Sequence, residues 1–462
     1  MNTYPKEKEM ARMNKIVTLS LACALLAAGC LAPRQSDFRD VVLQAKSKVF
    51  PSLVYVRVVC KDLGDGKEGK LTASGSGVVI TKEGELLTNH HVIDKAVEIR
   101  CLLSDGTSYD AKVVGSDKDM DVALLRLVRP KDAPDLPAAE LSPDSVKVGD
   151  VVLAMGAPWG LARSVTMGIV SCTDRYLEKC GQYTLWYQTD AAISPGNSGG
   201  PLVDTNGRVV GLNARGNTSG AQAFTIPSTT ILEVVPFLRE KGNANWSWFG
   251  FQFQPLHDFN RNTYFPFTNG VIVAGTDIGS PARKAGFKAN DRIVAVDGKP
   301  VTALNYEDMP ALERKLGRFP VDKAVKVDYM RGSEAFSVNI APREKGKVEG
   351  EEKVFSRWGF TAKEINRFNE PDLAFFAPDG GVYVAATSWE GNAASSGLRR
   401  RDIIRSMDGT KVETIEDLDA IYKKALAGLP AKSKMDVTVD RRGRELHFVL
   451  KYLEDTDKDD LE

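Results

Sequence analysis

The chain is written in two kinds of text. From Leu53 to about Gly242 it consists of short apolar runs. Examples are Val54-Tyr55-Val56-Arg57-Val58-Val59, Val151-Val152-Leu153-Ala154-Met155 and Arg208-Val209-Val210-Gly211-Leu212-Asn213, separated by Gly, Asp, Asn and Pro. Many short strands with turn signals between them predict closed barrels or sandwiches. Ahead of this region, Phe38, Val41, Val42 and Ala45 have helical spacing and predict a short helix. Thr229 to Glu240 predicts a terminal helix despite Pro236. Beyond it the pattern duplicates itself. Ala285-Gly286-Phe287 through Asp297-Gly298 recurs as Ser396-Gly397-Leu398 through Asp408-Gly409, and Gly270-Val271-Ile272-Val273 recurs as Gly381-Val382-Tyr383-Val384. Two copies of one domain therefore follow the β-rich region.

Chemistry enters at Gly196-Asn197-Ser198-Gly199-Gly200-Pro201, a serine among glycines ahead of the apolar Leu202-Val203. A backbone without side-chain bulk can bend so that amide N–H groups and a hydroxyl converge, which suits acyl transfer. The bland alternative is a Gly-rich turn. A serine nucleophile needs a base, and the chain has only four histidines: His90, His91, His257 and His447. Of these, His91 follows a predicted strand–turn–strand in Thr88-Asn89-His90-His91-Val92. Asp121, where a polar loop becomes the apolar Val122-Ala123-Leu124-Leu125, is the candidate acid that fixes the imidazole tautomer. Asp117 and Asp119 compete with it but read as solvated loop charges. The order His91, Asp121, Ser198 opposes an α/β-hydrolase, in which the serine comes first.

These residues carry a resemblance. Ser74-Gly75-Ser76-Gly77-Val78-Val79-Ile80, Thr88-Asn89-x-His91-Val92, Asp121-Val122-Ala123-Leu124-Leu125, Met155-Gly156-Ala157-Pro158-Trp159-Gly160, Val165-Thr166-x-Gly168-Ile169-Val170-Ser171, Thr189 to Pro201 and Phe224-Thr225-Ile226-Pro227 occur in one order. The sequence resembles the HtrA/Deg family of trypsin-like serine proteases with C-terminal PDZ domains. The resemblance implies a mostly β chain: a chymotrypsin-like double β-barrel followed by two α+β PDZ domains. It implies His91 as base, Asp121 as orienting acid, Ser198 as nucleophile and the amides of Gly196 and Ser198 as oxyanion hole. It implies a specificity pocket near Ile193, Ala223, Phe224 and Thr225. No acid is expected there, which points to cleavage after aliphatic or small residues. It also implies an envelope endopeptidase acting on unfolded or damaged proteins, assembled as a trimer or larger, with Phe38 a candidate trimer contact or core residue. The rival reading is a proteolytically latent peptide-binding holdase.

Each repeat resembles a PDZ domain, whose apolar-Gly-apolar loop offers amides to a peptide C-terminal carboxylate while the peptide adds as a strand. Phe249-Gly250-Phe251 and Trp358-Gly359-Phe360 would be those loops. The expected boundaries are a signal segment at 1–30, the protease domain at 31–242, PDZ domains at 246–343 and 354–453, a charged linker at 344–353 and an acidic tail at 454–462.

Composition changes the picture little. The 462 residues carry no net charge and are 43% hydrophobic, which is globular and gives no reason to expect nucleic acid. Ile16 to Gly29 is an apolar stretch behind Lys15, too short to span a bilayer comfortably. Ala27-Ala28-Gly29-Cys30 resembles a lipobox, with Cys30 as the lipidated residue and a lipid anchor in the cell envelope as the implication. Ordinary secretion and an uncleaved anchor are the alternatives. Cys60, Cys101, Cys172 and Cys180 allow three pairings; Cys172–Cys180 and Cys60–Cys101 are favoured, with free buried thiols as the alternative. With no Cys-x-x-Cys or His-Glu-x-x-His, neither metal nor cofactor is expected.

Overall fold

The computed structural model describes residues 37–157, 163–177, 180, 182–216, 222–244 and 246–453. The signal-like segment with Cys30 and the tail 454–462 lie outside them. A helix, Phe38–Val49, opens the fold, capped by Asp37 and burying Ala45 and Val49. Phe38 is 48% exposed, so it contributes nothing to the core of this chain.

The first six strands are β1 Leu53–Asp62, β2 Gly69–Val79, β3 Glu85–Thr88, β4 Ala96–Leu102, β5 Ser108–Asp117 and β6 Val122–Leu127. They close into a barrel in the order β1-β2-β3-β6-β5-β4. The next six are β7 Val151–Gly156, β8 Ser164–Arg175, β9 Trp186–Thr189, β10 Pro201–Asp204, β11 Val209–Gly216 and β12 Ala223–Pro227. They close a second barrel, β10-β11-β12-β9-β8-β7. Closure leaves no unpaired strand edge. One apolar cluster runs through both barrels, from Leu53, Val78 and Leu124 to Leu153, Val203 and Ile226, and takes in Ile231, Val234 and Leu238 of the helix Ser228–Lys241. That helix is pinned to the first barrel by Arg239, which with Arg126 brackets the buried Glu85 carboxylate at 2.8 and 2.6 Å. Burial alone would raise the Glu85 carboxyl. Hydrogen bonds from Arg239 and Arg126 outweigh it and hold the group below the usual carboxylate range.

The two repeats fold separately with the same order of elements. In the first, Phe251–Gln254, Val271–Thr276, Arg292–Val296, Val325–Arg331 and Glu334–Ile340 form the main sheet, with the helix Met309–Gly317 packed on it. In the second, Phe360–Glu364, Val382–Thr387, Ile403–Met407, Lys434–Arg441 and Arg444–Lys451 do the same, with the helix Ile415–Ala427. The repeated Gly…Asp text has a physical reason. Arg331 grips Asp291 through two bonds of 2.7 Å and donates to the Gly286 carbonyl. Arg441 grips Asp402 through two bonds of 2.7 Å and donates to the Gly397 carbonyl. Each buried carboxylate thus ties a turn to a strand of the sheet.

Two expectations, the disulfides and a solvated Asp117, are corrected. All four described cysteines are free. Cys101 lies opposite Val56, whereas Cys60 lies opposite Ala96. Four residues of strand, about 13 Å at the usual rise, separate the two positions, beyond disulfide reach. Cys172 is held in β8 opposite Gln188, while Cys180 packs on the core beside Trp186, whose indole donates to its carbonyl. Burial pushes the Cys101 thiol up to about 12. The segment 344–353 carries regular structure: Lys345–Glu349 is a helical turn, and Lys353–Phe355 is a strand on the second repeat. Asp117 is not a solvated charge. It is buried and accepts from Met120 N at 2.7 Å and Trp246 Nε1 at 2.6 Å. Burial, with Asp119 nearby, pushes its carboxyl up to about 6.

Candidate active site

The two barrels meet at the turn between β9 and β10. Gly196 has φ +98° and Gly199 φ +82°. At Gly199 the demand is also steric, since a Cβ would sit 2.2 Å from the Ser76 carbonyl and 2.3 Å from Thr88 Oγ1. Glycine is needed there because the first barrel presses against the turn from the other side.

Ser76 of β2 is the stitch. Its N–H donates to the Ser198 carbonyl at 2.8 Å, and its hydroxyl donates to the Gly196 carbonyl at 2.6 Å. The same hydroxyl accepts from Ala157 N, and its carbonyl accepts from Thr88 Oγ1. Asn213 holds the opposite side: its carbonyl accepts from Gly199 N, its N–H donates to the Gly200 carbonyl, and its amide donates to the Pro201 carbonyl. The signal for Ser76 was within the Ser74 to Ile80 motif, but nothing local shows that its hydroxyl crosses to the other barrel. Asn213 gave only an ordinary polar residue at a strand end.

With both ends fixed, the turn leaves two amides over. Asn197, Gly199 and Gly200 donate to Ser194, Asn213 and Asn197 respectively. Gly196 N and Ser198 N have no acceptor among the described residues. Two such N–H groups, the serine's own and that two residues before it, can stabilise an oxyanion.

His91 sits in the helical turn His90–Ile93 that follows β3. Its Nδ1 lies 2.8 Å from Asp121 Oδ2 and 3.0 Å from Oδ1, and its backbone N–H donates to Oδ1 at 2.9 Å. An ionised carboxylate only accepts, so Nδ1 carries the proton and Nε2 keeps its lone pair. Asp121 is buried at the mouth of β6 with φ +55°, a left-handed turn that aims the carboxylate back at His91. Asn89 Nδ2 braces that turn through the Asp121 carbonyl at 3.0 Å. The imidazole itself is about two-fifths exposed. The Ser198 hydroxyl donates to the Ala214 carbonyl at 3.1 Å, and it makes no hydrogen bond to His91 in this conformation.

The expected pocket residues fall together beside this turn. The Ile193 carbonyl lies where a Cβ on Gly216 would be, 2.2 Å away, and Gly216 pairs with Ala223 across β11 and β12. Ile193 is half-buried against the apolar cluster of Val152, Val170 and Leu202. Phe224 is half-buried, and Thr225 is buried with its hydroxyl on Asn213 Oδ1 at 3.3 Å.

The two candidate peptide loops part company. In the first repeat, Phe249 N and Gly250 N have no acceptor among the described residues, and Phe251–Gln254 pairs on one side only. In the second, Gly359 N donates to the carbonyls of Phe355 and Ser356, and Trp358 and Phe360 are fully buried. The strand Lys353–Phe355 already pairs with Phe360–Ala362. The assignment of Trp358, Gly359 and Phe360 to peptide binding is therefore corrected: the folded connector has filled the place a peptide would take.

The trypsin-like peptidase domain family matches residues 75–212 and the PDZ domain family residues 247–341. A probable periplasmic serine endoprotease DegP-like from Marinomonas sp. is 31% identical over 400 residues, covering 84% of this chain and 81% of the relative. The periplasmic serine endoprotease DegP of Salmonella typhimurium is 32% identical over 374 residues, covering 78% and 75%. Among solved structures, the HtrA-type protease AlgW with a tripeptide matches with TM-score 0.56 and 31% identity, covering 65% of this chain and 96% of that one. The serine endoprotease from Yersinia pestis matches with TM-score 0.52 and 28% identity, covering 67% and 98%.

Proposed function

The chain belongs to the HtrA/Deg family of serine proteases, and from that premise we propose that it cleaves unfolded or damaged proteins through an acyl-enzyme formed on Ser198. The observation that carries the reading is the His91–Asp121 contact at 2.8 Å together with Ser198, whose own amide and that of Gly196 have no acceptor among the described residues. His91 Nε2 takes the hydroxyl proton as Ser198 Oγ attacks the scissile carbonyl, then gives it to the leaving amine. Asp121 holds the tautomer and stabilises the imidazolium. The amides of Gly196 and Ser198 receive the oxyanion; loss of one such donor costs on the order of a hundred-fold in turnover. Water, activated by the same imidazole, releases the acyl group.

One motion separates the resting conformation from chemistry. The Ser198 hydroxyl must leave the Ala214 carbonyl and turn towards His91 Nε2; catalytic hydrogen bonds are often unmade in substrate-free sites. The bond to Ala214 is also the one observation that favours the second reading, a latent holdase. Casein digestion by the full chain, with Ser198→Ala as control, separates them: absence of any Ser198-dependent cleavage would leave the holdase.

The half-buried Ile193 and Phe224 are apolar, and none of Ile193, Ala223, Phe224 and Thr225 is an acid, which supports cleavage after aliphatic or small residues. A basic preference in a peptide library would overturn that. The first repeat is the proposed receptor for peptide C-termini at Phe249, Gly250 and Phe251. A periplasmic location is proposed from the periplasmic relatives, and lipidation at Cys30 and trimeric or larger assembly from the resemblance alone.

A further inference from the structure

The groove of the first repeat is not open. Against its unpaired rim lies the loop 366–369 of the second repeat. Arg367 Nη1 donates to the Phe251 carbonyl at 3.0 Å, the acceptor an added strand would use, and pairs with Asp277 at 3.2 Å. Gln252 Nε2 donates to the other Asp277 oxygen at 2.7 Å, so the ion pair is tied to the rim strand. The Phe368 ring stands edge-on to Trp248 with centroids 6.4 Å apart, and the Lys345 ammonium lies 5.1 Å from that ring. The space left between this loop and Phe249-Gly250-Phe251 is about 20 Å³, room for one water at most.

The loop is shaped to present these two side chains. Asn366 Oδ1 accepts from Phe368 N and Asn369 N, closing a tight turn with Arg367 and Phe368 at its tip. Asn366 Nδ2 anchors the base of the turn to the carbonyl of Val348. Lys345, buried between the domains, is paired with Asp119 of the protease domain. The occupant is thus held by the second repeat, by the folded connector and, through it, by the first barrel.

We infer that the Arg367–Phe368 loop is a built-in occupant of the first repeat's groove, which an extended peptide with a free, apolar C-terminus must displace in order to bind. The inference rests on the peptide-receptor reading proposed above. A tethered occupant competes at high effective concentration, and apparent affinity falls by the fraction of open groove. A groove closed nine-tenths of the time would bind about tenfold more weakly than an open one.

The test uses the full chain carrying Ser198→Ala, with and without Arg367→Ala/Phe368→Ala, and with Arg367→Gln alone, which keeps the ring packing in place. Two readouts are taken: hydrogen exchange at the Phe249–Phe251 amides without ligand, and anisotropy of a fluorescent decapeptide with a free apolar C-terminus, its C-terminal amide serving as control. We expect faster exchange and about tenfold or greater tightening in the double variant, a smaller gain in Arg367→Gln, and weak binding of the amidated peptide throughout. Unchanged exchange, or unchanged affinity for a peptide that does bind, overturns the occupant. Faster exchange with no binding of any free-carboxylate peptide instead overturns the receptor reading, and with it the competing ligand.

Discussion

The Ser198 hydroxyl donates to the Ala214 carbonyl 3.1 Å away, while the His91 imidazole is held by Asp121 through its other nitrogen. The base is oriented and the nucleophile is not. Ser198→Ala removes the attacking oxygen and one hydrogen bond to a carbonyl. Cleavage of casein should fall by about 10⁶-fold, to background, with the melting midpoint nearly unchanged. Loss of fold in that variant would mean that Ser198 is structural.

Ser76 touches no proposed reacting atom, yet it positions the carbonyls of Gly196 and Ser198. Ser76→Ala should lower kcat by about 10- to 100-fold with KM little changed, because the free amides on either side of Asn197 lose their alignment. Ser76→Thr, which keeps the hydroxyl, should recover part of it. A change confined to KM would place Ser76 in substrate binding instead.

Glu85 is buried between Arg126 and Arg239, and its pKa is held low in the fold. A depressed carboxylate pKa gives stability that is present above the unfolded value of about 4.3 and lost as pH falls through the folded one. Glu85→Gln should therefore destabilise by about 1.5–3 kcal/mol at pH 7 and by much less near pH 3. Equal losses at both pH values, in denaturant titrations, would show that packing rather than charge is responsible.

Asp117 behaves in the opposite sense. Its pKa is raised to about 6, so its contribution to stability is full below the unfolded value and is lost as pH rises through 6. Trp246 reports this directly, because its indole N–H donates to that carboxyl. Tryptophan emission should show an inflection near pH 6 that disappears in Trp246→Phe. Persistence of the inflection would assign it to another group.

With its four described cysteines free, the chain should keep its melting midpoint when a reductant is added, and thiol labelling in denaturant should modify Cys60, Cys101, Cys172 and Cys180 without prior reduction. A fall in the midpoint on reduction would restore a disulfide.

The triad could be read from the sequence because each member sits in a short local signature and their order excludes the rival fold. The barrels could be read for the same reason: strand length, turn residues and alternation are local properties. What could not be read depends on distant partners. Asp117 looks like a loop charge until Trp246, 129 positions later, donates to it. Trp358-Gly359-Phe360 matches Phe249-Gly250-Phe251 in text, and contacts formed in the fold separate the two: Gly359 N donates to Phe355 and Ser356, and Lys353–Phe355 pairs with the rim. Ser198 was legible as a nucleophile but its rotamer was not, since the competing acceptor, Ala214, is a backbone carbonyl that any residue type would provide.

The strand Lys353–Phe355 has an effect on the company this molecule can keep. A sheet with a bare rim is an invitation to any stretched polypeptide nearby. In the second repeat that border is the three-residue strand Lys353–Phe355, too short a template for an incoming polypeptide to extend.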